Sequence, residues 1–380
     1  MDLAKLKRAH VKVVDDDLAK VLAETIADYE QRSGKTLQPA HIERLLINTY
    51  AYRETLVRQS LNEAYRQQHP RFATGLMLDL CGDDVNTPRL LASAARCTIR
   101  FTADLSGVQT AYIPVGTQVA AGEVVFATTE AAELSAARRQ ADLQAVCTQS
   151  GAAGNGWAAG QISNLLTAFS DGLNVKAVNI SVPSGGTDVE TDDAYRERIL
   201  LAPESFSVAG PVGAYEYFAR RVNPAICDVY VDNKKTASGE PIGGQVQVTV
   251  LTKNGLPSEE LLREVAKALS HERVRPLCDT VTVSAPTAVD YALDAELVLF
   301  TGINPAEAVA AAEAAWAAYE AARREQLGRD IVPLDIQTAL KVAGVYNVVL
   351  HNLPLKVVAA DQWARCTWVR IRAAAQQAEG

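Results

Sequence analysis

The sequence predicts an α+β chain of several domains: an N-terminal helical segment, a β-rich module, then two small α/β domains. Three observations carry that prediction. The 380 residues exceed what one compact core serves, so two to four domains are expected. The apolar pattern runs at helical spacing up to about residue 75 and then gives way to short β-type runs. From about residue 191 helices and strands alternate, and they do so twice. The partition read from these changes is 1–75, 76–190, 191–289 and 290–380.

The elements run in order. Leu18, Val21, Leu22, Thr25, Ile26 and Tyr29 lie on one face of a helix. Ser33 and Gly34 break it, and Pro39 is placed to open the next helix. That second helix runs to about Gln68 with Ile42, Leu45, Leu46, Thr49, Tyr52 and Leu56 as its stripe. Two helices this long cannot bury both stripes on each other, so they need the body of the protein or a neighbouring chain. In the β-rich module, strands are expected over 97–101, 111–113, 124–127, 143–148 and 175–182, punctuated at Gly107, Pro114, Gly116, Gly122 and the glycines of 151–160. Helices are expected over 192–201, 212–221 and 258–270, with strands over 226–231, 245–251 and 280–284 and a hairpin loop over 233–244. The last segment pairs a strand over 291–300 with a long helix over 305–327. A short helix over 334–342 and strands over 345–350 and 363–371 complete it.

Composition narrows the function classes. Hydrophobic residues are 48% and charged residues 22%, ordinary for a soluble globular protein. A net charge of -8 and no run of Lys or Arg argue against nucleic acid as a partner. Asp15, Asp16 and Asp17 fall where a signal peptide's apolar core would lie. The longest charge-free stretch, 143–170, is rich in Gln, Ser, Asn and Gly, so no direct membrane insertion is expected. Cys81, Cys97, Cys147, Cys227, Cys278 and Cys366 are scattered without a CxxC pair and read as free thiols in a reducing cytoplasm.

Reactive constellations do not emerge. His10, His41, His69, His271 and His351 stand alone, with no HExxH, so no metal is expected. Neither a GxSxG elbow nor a phosphate loop occurs. Asp83-Asp84 and Asp192-Asp193 read as surface or capping acids. Gly154, Asn155, Gly156, Trp157, Ala158 and Ala159 fit a G-x-G-x-x-A fingerprint before a helical stretch over 162–169. A dinucleotide site also needs an acid ending the second strand. Here that strand ends Ser181, Val182, Pro183, Ser184, so the reading is a glycine-rich loop around a tucked Trp157. No catalytic residue, cofactor or small-molecule substrate is expected.

The informative stretch begins at Gly185 and Gly186, which can turn the chain out of the preceding strand at positive φ. Thr187 and Glu190 have capping-box spacing, with Thr191 or Asp192 as rival N-caps. Glu190, Asp192 and Asp193 suit the start of a helix, Arg196 and Arg198 suit positions further on, and Pro203 suits its stop. A well-capped helix joining two domains accounts for the stretch locally.

The same residues, from Gly185 through Thr191, Tyr195 and Arg198 to Ile199, resemble the GG-x-x-x-E-T-D-[DE]-x-[YF]-R-x-R-I pattern of the baseplate J-like family. The resemblance continues in order along the chain. Upstream are Arg58-Gln59-Ser60-Leu61-Asn62-Glu63-Ala64 and Ala73-Thr74-Gly75-Leu76-Met77-Leu78-Asp79. Next come Ile113-Pro114-Val115-Gly116-Thr117, Val125-Phe126-Ala127-Thr128 and Gly154-Asn155-Gly156 through Ile162. Downstream are Ala209-Gly210-Pro211-Val212-Gly213-Ala214-Tyr215 and Asp228-Val229-Tyr230-Val231. Cys81-Gly82 stands where the family commonly has Leu-Gly. The match covers about 58–284.

The resemblance implies a non-catalytic wedge component of a contractile-tail baseplate. Its partners would be a paired copy of itself and other wedge and hub proteins. Such copies form a sixfold ring around the hub and transmit the signal for sheath contraction. It also implies a place in the virion tail baseplate or a tail-like particle, after folding and assembly in the host cytoplasm. The family signature and assembly residues are then Gly185, Gly186, Glu190, Thr191, Asp192, Tyr195, Arg196, Arg198, Gly210, Pro211 and Tyr215. On pattern alone, the alanine-rich helix over 305–327 is a candidate subunit contact through Ala311, Ala315 and Trp316. The alternative is packing on its own sheet through Val309, Trp316 and Tyr319.

Overall fold

The computed structural model describes residues 11–105, 110–169, 174–207, 210–236, 238–271, 274, 278–375 and 378. Gly107, Ala209 and His10 lie outside them. The chain divides into two compact units, one of residues 1–89 with 191–203 and one of 90–190 with 204–380. Mixed α+β architecture runs through it, with a helical N-terminal segment.

In the first unit, α1 (Leu18–Ser33) starts at Asp17, whose side chain accepts from the amides of Ala19 and Lys20, and ends at Gly34 with φ +69°. The next helix, α2 (Ile42–Gln67), starts after His41. Pro39 therefore does not open it: Pro39 sits in a turn closed by the His41 amide on the Gln38 carbonyl. The α1 stripe packs only in part: Val21 is buried, Leu22, Thr25, Ile26 and Tyr29 are half-buried, and Leu18 is exposed. The α2 stripe does not. Its buried line is Ile47, Ala51, Thr55 and Asn62, while Ile42, Leu45, Leu46, Tyr52 and Leu56 are exposed. A third helix, α3 (Gly75–Asp84), stands where helical signals fade. It is short, holds Gly82, and exposes Leu76, Met77 and Leu80, so its sequence shows little periodicity. α4 (Asp192–Leu201) completes the unit, its first turn acidic and its cap Thr191.

The second unit holds three modules, each with its own core. The first is a sheet of β1 (Ala94–Ala103), β3 (Gln118–Ala121), β4 (Val124–Thr128), β6 (Gln140–Ser150), β7 (Asn164–Leu165) and β8 (Val175–Asn179). Their order is β7-β3-β4-β6-β1-β8, and a small pair, β2 (Thr110–Ile113) with β5 (Ala132–Ser135), stands beside them. Contacts between the edge strands β7 and β8 bring the sheet toward closure as a barrel. Alternation drives it: Cys97, Ile99, Phe101 and Ala103 of β1 point inward with Ala141, Leu143, Ala145 and Cys147 of β6. The stretch 162–169 is not helical, since Asn164 and Leu165 pair with β3.

The second module puts α5 (Val212–Arg220) and α6 (Glu259–Leu269) on β9 (Ile226–Lys235), β10 (Pro241–Thr252) and β11 (Thr280–Ser284). Strand pairing reaches Pro241 and Lys235, so most of the expected 233–244 loop is hairpin strand. In the third, β13 (Val345–Leu350) and β14 (Gln362–Ala373) flank β12 (Thr287–Leu299), covered by α7 (Pro305–Arg324) and α8 (Pro333–Leu340). Trp363 plugs the junction of these two modules. Its indole donates to the Arg324 carbonyl at 2.8 Å. Its ring lies where a Cβ on Gly255 would come to 3.1 Å.

Candidate functional site

The signature stretch splits between the two units, and each half has its own geometry. In the second unit, Gly185 takes φ +83° with open space around it. Gly186 needs no unusual backbone; it needs no side chain. A Cβ there would stand 2.4 Å from the Gly151 carbonyl and 2.9 Å from Asn155 Oδ1. That space is used by Asn155, whose side-chain amide donates to the Gly186 carbonyl at 2.7 Å and accepts the Gly186 N–H at 2.9 Å. One side chain thus completes both main-chain groups, as a paired strand would.

Thr187 and Glu190 do not form the capping box. Thr187 pairs with Ser93 through main chain and hydroxyl, and the buried Glu190 carboxylate accepts the Leu90 amide at 3.0 Å. Between the rival caps the structure selects Thr191, which accepts from the Ala194 amide.

The glycine-rich loop behind this half is built for packing. Gly154 ends a short 3-10 turn, where a Cβ would meet the Ala95 Cβ at 2.8 Å. Trp157 lies half-buried against the barrel core. Buried Asn179 holds the loop's far end, accepting from the Ile162 amide and donating to the Ala158 and Ser181 carbonyls. Sequence reading did not single out Asn155 or Asn179 as structural keys. Their polar type in a glycine-rich loop was the available hint, but their partners are distant in sequence.

In the first unit, Tyr195 is the centre. It is 1% exposed, and its hydroxyl donates to the Thr87 carbonyl at 2.7 Å. Burial raises its pKa. Arg89 and Arg198 lie 4.5 and 5.4 Å from its ring centroid. Arg89 also pairs with Asp79 at 2.7 Å and Asp192 at 2.8 Å. Asp192 accepts the Gly75 amide, and that bond, ahead of Arg89, holds its carboxyl below the ordinary value. Arg196 donates to the Pro70 and Ala73 carbonyls, and Arg198 to Pro88. These arginines bind main-chain carbonyls on either side of α3, a larger task than the helix-dipole role expected of them. Gly82 makes the centre possible, because a Cβ there would fall 1.8 Å from the Tyr195 hydroxyl.

The remaining predicted residues stand apart. Pro211 caps α5 after Gly210 at φ +71°, and buried Tyr215 donates to Asp279 at 2.7 Å. Along α7, Trp316 is buried in its own module's core with Ala308 and Ala312, Ala315 is half-buried and Ala311 is exposed. Packing on its own sheet therefore occupies the Trp316 side.

Among the described residues no group of three His, Cys, Asp or Glu could hold a metal, and no helix is long and apolar enough to cross a membrane. All six cysteines are unpaired, with burial pushing Cys97 up to about 11 and Cys227 to about 12.

A helical segment, a barrel-like sheet and two α+β modules define a multidomain chain of modular α+β build. Residues 44–96 match the Baseplate J-like N-terminal domain and 98–186 the Baseplate J-like protein barrel domain. Residues 207–285 match the Baseplate J-like central domain and 291–372 the Baseplate J-like protein C-terminal domain. The chain belongs to the baseplate J-like family. It is 38% identical over 195 residues to Baseplate protein J of Escherichia phage P2, covering 50% of this chain and 62% of that protein. A chain in the six-fold symmetrised cryo-EM structure of the anti-feeding prophage baseplate is similar at TM-score 0.46 and 12% identity. That likeness covers 90% of this chain and 89% of the other.

Proposed function

We propose that this chain is a structural, non-catalytic subunit of a contractile-tail baseplate, a wedge component that pairs with a second copy and contacts other wedge and hub proteins. Sixfold repetition would close the ring, and rearrangement of its interfaces would release sheath contraction. The proposed modules are 1–75, 76–190, 191–289 and 290–380, assembled in the host cytoplasm and resident in the tail baseplate.

The observation that carries this reading is the face of α2. Ile42, Leu46 and Val57 are 74%, 67% and 67% exposed, in a row with Leu45, Tyr50 and Leu61. The face turned to α1 is Ile47, Ala51 and Thr55, smaller and less apolar. Burying an exposed Leu or Ile gains about 1.5–3 kcal/mol, so a contiguous row of them marks a surface made for other chains. The signature residues are proposed to stiffen each unit internally, with Ala311 available as a further contact.

Cryo-electron microscopy of particles carrying a tag on this chain tests the proposal. Label in a sixfold ring at the distal end of the tail, inside the fibres, supports it. Label on fibre tips, or absence from the particle, overturns it.

A further inference from the structure

The segment ahead of α1 is held in an unusual way. Residues 11–16 run along the C-terminal half of α2, touching it mainly through main chain, with one side-chain bond from Asn62 Nδ2 to Asp16 Oδ2 at 3.1 Å. The amides of Val13 and Val14 both donate to Asn62 Oδ1, at 2.8 and 3.1 Å, and Asn62 Nδ2 donates back to the Val14 carbonyl at 2.9 Å. Arg66 donates to the Val11 carbonyl at 3.0 Å and Arg58 to the Asp15 carbonyl at 3.1 Å. Asn62 is fully buried, whereas Val13 is 51% exposed. The grip is therefore on the backbone, not on the side chain of Val13.

The helix next in the chain, α1, is weakly held. Of its sixteen residues, only Val21 is buried. Leu22, Thr25, Ile26 and Tyr29 are only half-buried, so α1 has limited packing to keep it on α2, and most helical stability in proteins comes from packing. Asp17 caps α1 directly after the gripped segment, so the backbone clasp sets where α1 begins and along which line it lies.

We propose that Asn62, with Arg58 and Arg66, is a backbone-binding clasp that latches residues 11–16 onto α2, and that this latch holds the α1–α2 hairpin closed. Release of the latch frees α1 without opening the α3–α4 core, and uncovers Ile47 and Ala51 beside the exposed α2 face. The hairpin is then an element with two arrangements, biased by a polar clasp. The inference stands on the first unit alone and is independent of the assembly role.

Hydrogen exchange on the full chain tests it, comparing the native protein with Asn62→Ala, Arg66→Ala and Val13→Ala. The latch predicts exchange of Val13, Val14 and the α1 amides about tenfold faster in Asn62→Ala and partly so in Arg66→Ala. Amides of α3 and α4 should be unchanged, and Val13→Ala should behave as native. Two results overturn the proposal. One is unchanged α1 protection in Asn62→Ala, meaning the helices hold without the clasp. The other is loss of protection in α3 and α4 as well, which would make Asn62 part of the core and not a latch.

Discussion

Replacing Gly82 with Ala tests the centre of the first unit. The added Cβ would lie 1.8 Å from the Tyr195 hydroxyl, 2.6 Å from its Cζ and 2.6 Å from the Thr87 carbonyl oxygen. Nothing there yields easily. Thr87 O is main chain, and the Thr87 amide is itself bonded to the Gly82 carbonyl at 2.8 Å. Tyr195 sits between Arg89 and Arg198, with Leu78, Cys81 and Ile199 packed around it. Relief requires the tyrosine to swing out. Overpacking costs about 1–3 kcal/mol, and loss of the Tyr195–Thr87 hydrogen bond adds about 0.5–1.5 kcal/mol. A loss of about 2–4 kcal/mol is expected, a factor of roughly thirty to several hundred in local opening. Hydrogen exchange of α3 and α4 amides reads it directly, with Leu80→Ala at the half-exposed Leu80 as a surface control. A loss below about 1 kcal/mol would refute the argument, because it would mean that tyrosine and turn repack freely.

The other predictions concern the junctions and the surface. Gly185→Ala should cost about 1 kcal/mol, from positive φ alone, whereas Gly186→Ala should cost more, because its Cβ meets the Gly151 carbonyl. Equal thermal shifts for the two would contradict that ordering. Asn155→Ala leaves both main-chain groups of Gly186 unpaired and should lower barrel stability by about 2 kcal/mol, read by denaturant titration. Asp192, with its carboxyl held below the ordinary 3.8, contributes stability present above that pH and lost as pH falls through its folded value. Asp192→Asn should therefore flatten the acid end of the first unit's stability profile, and an unchanged profile would remove the Gly75 bond from the account. Leu46→Glu with Val57→Glu, or Ala311→Arg, should block incorporation into particles while leaving circular dichroism native. Incorporation at native levels would place those faces outside the assembly.

The order of elements and the class of protein were legible in the sequence because both rest on local information. Helix 192–201, strand 280–284 and strand 345–350 fall where pattern placed them, each bounded by a cap, proline or glycine acting on its immediate neighbours. The motifs from Arg58 to Val231 identify the family in the same way, residue by residue. What the sequence could not reveal was which of two amphipathic faces packs. Periodicity measures how apolar a face is, and on α2 the more apolar face stays outside while Ile47, Ala51 and Thr55 turn in. That choice is made by packing against α1, whose Val21 is buried in the same unit. Likewise the capping-box spacing of Thr187 and Glu190 was real but outbid by Ser93 and Leu90, partners nearly a hundred residues away. Short-range spacing is a property of the chain; long-range hydrogen bonds and steric limits, such as those at Gly82 and Gly186, exist only once tertiary structure brings the partners together.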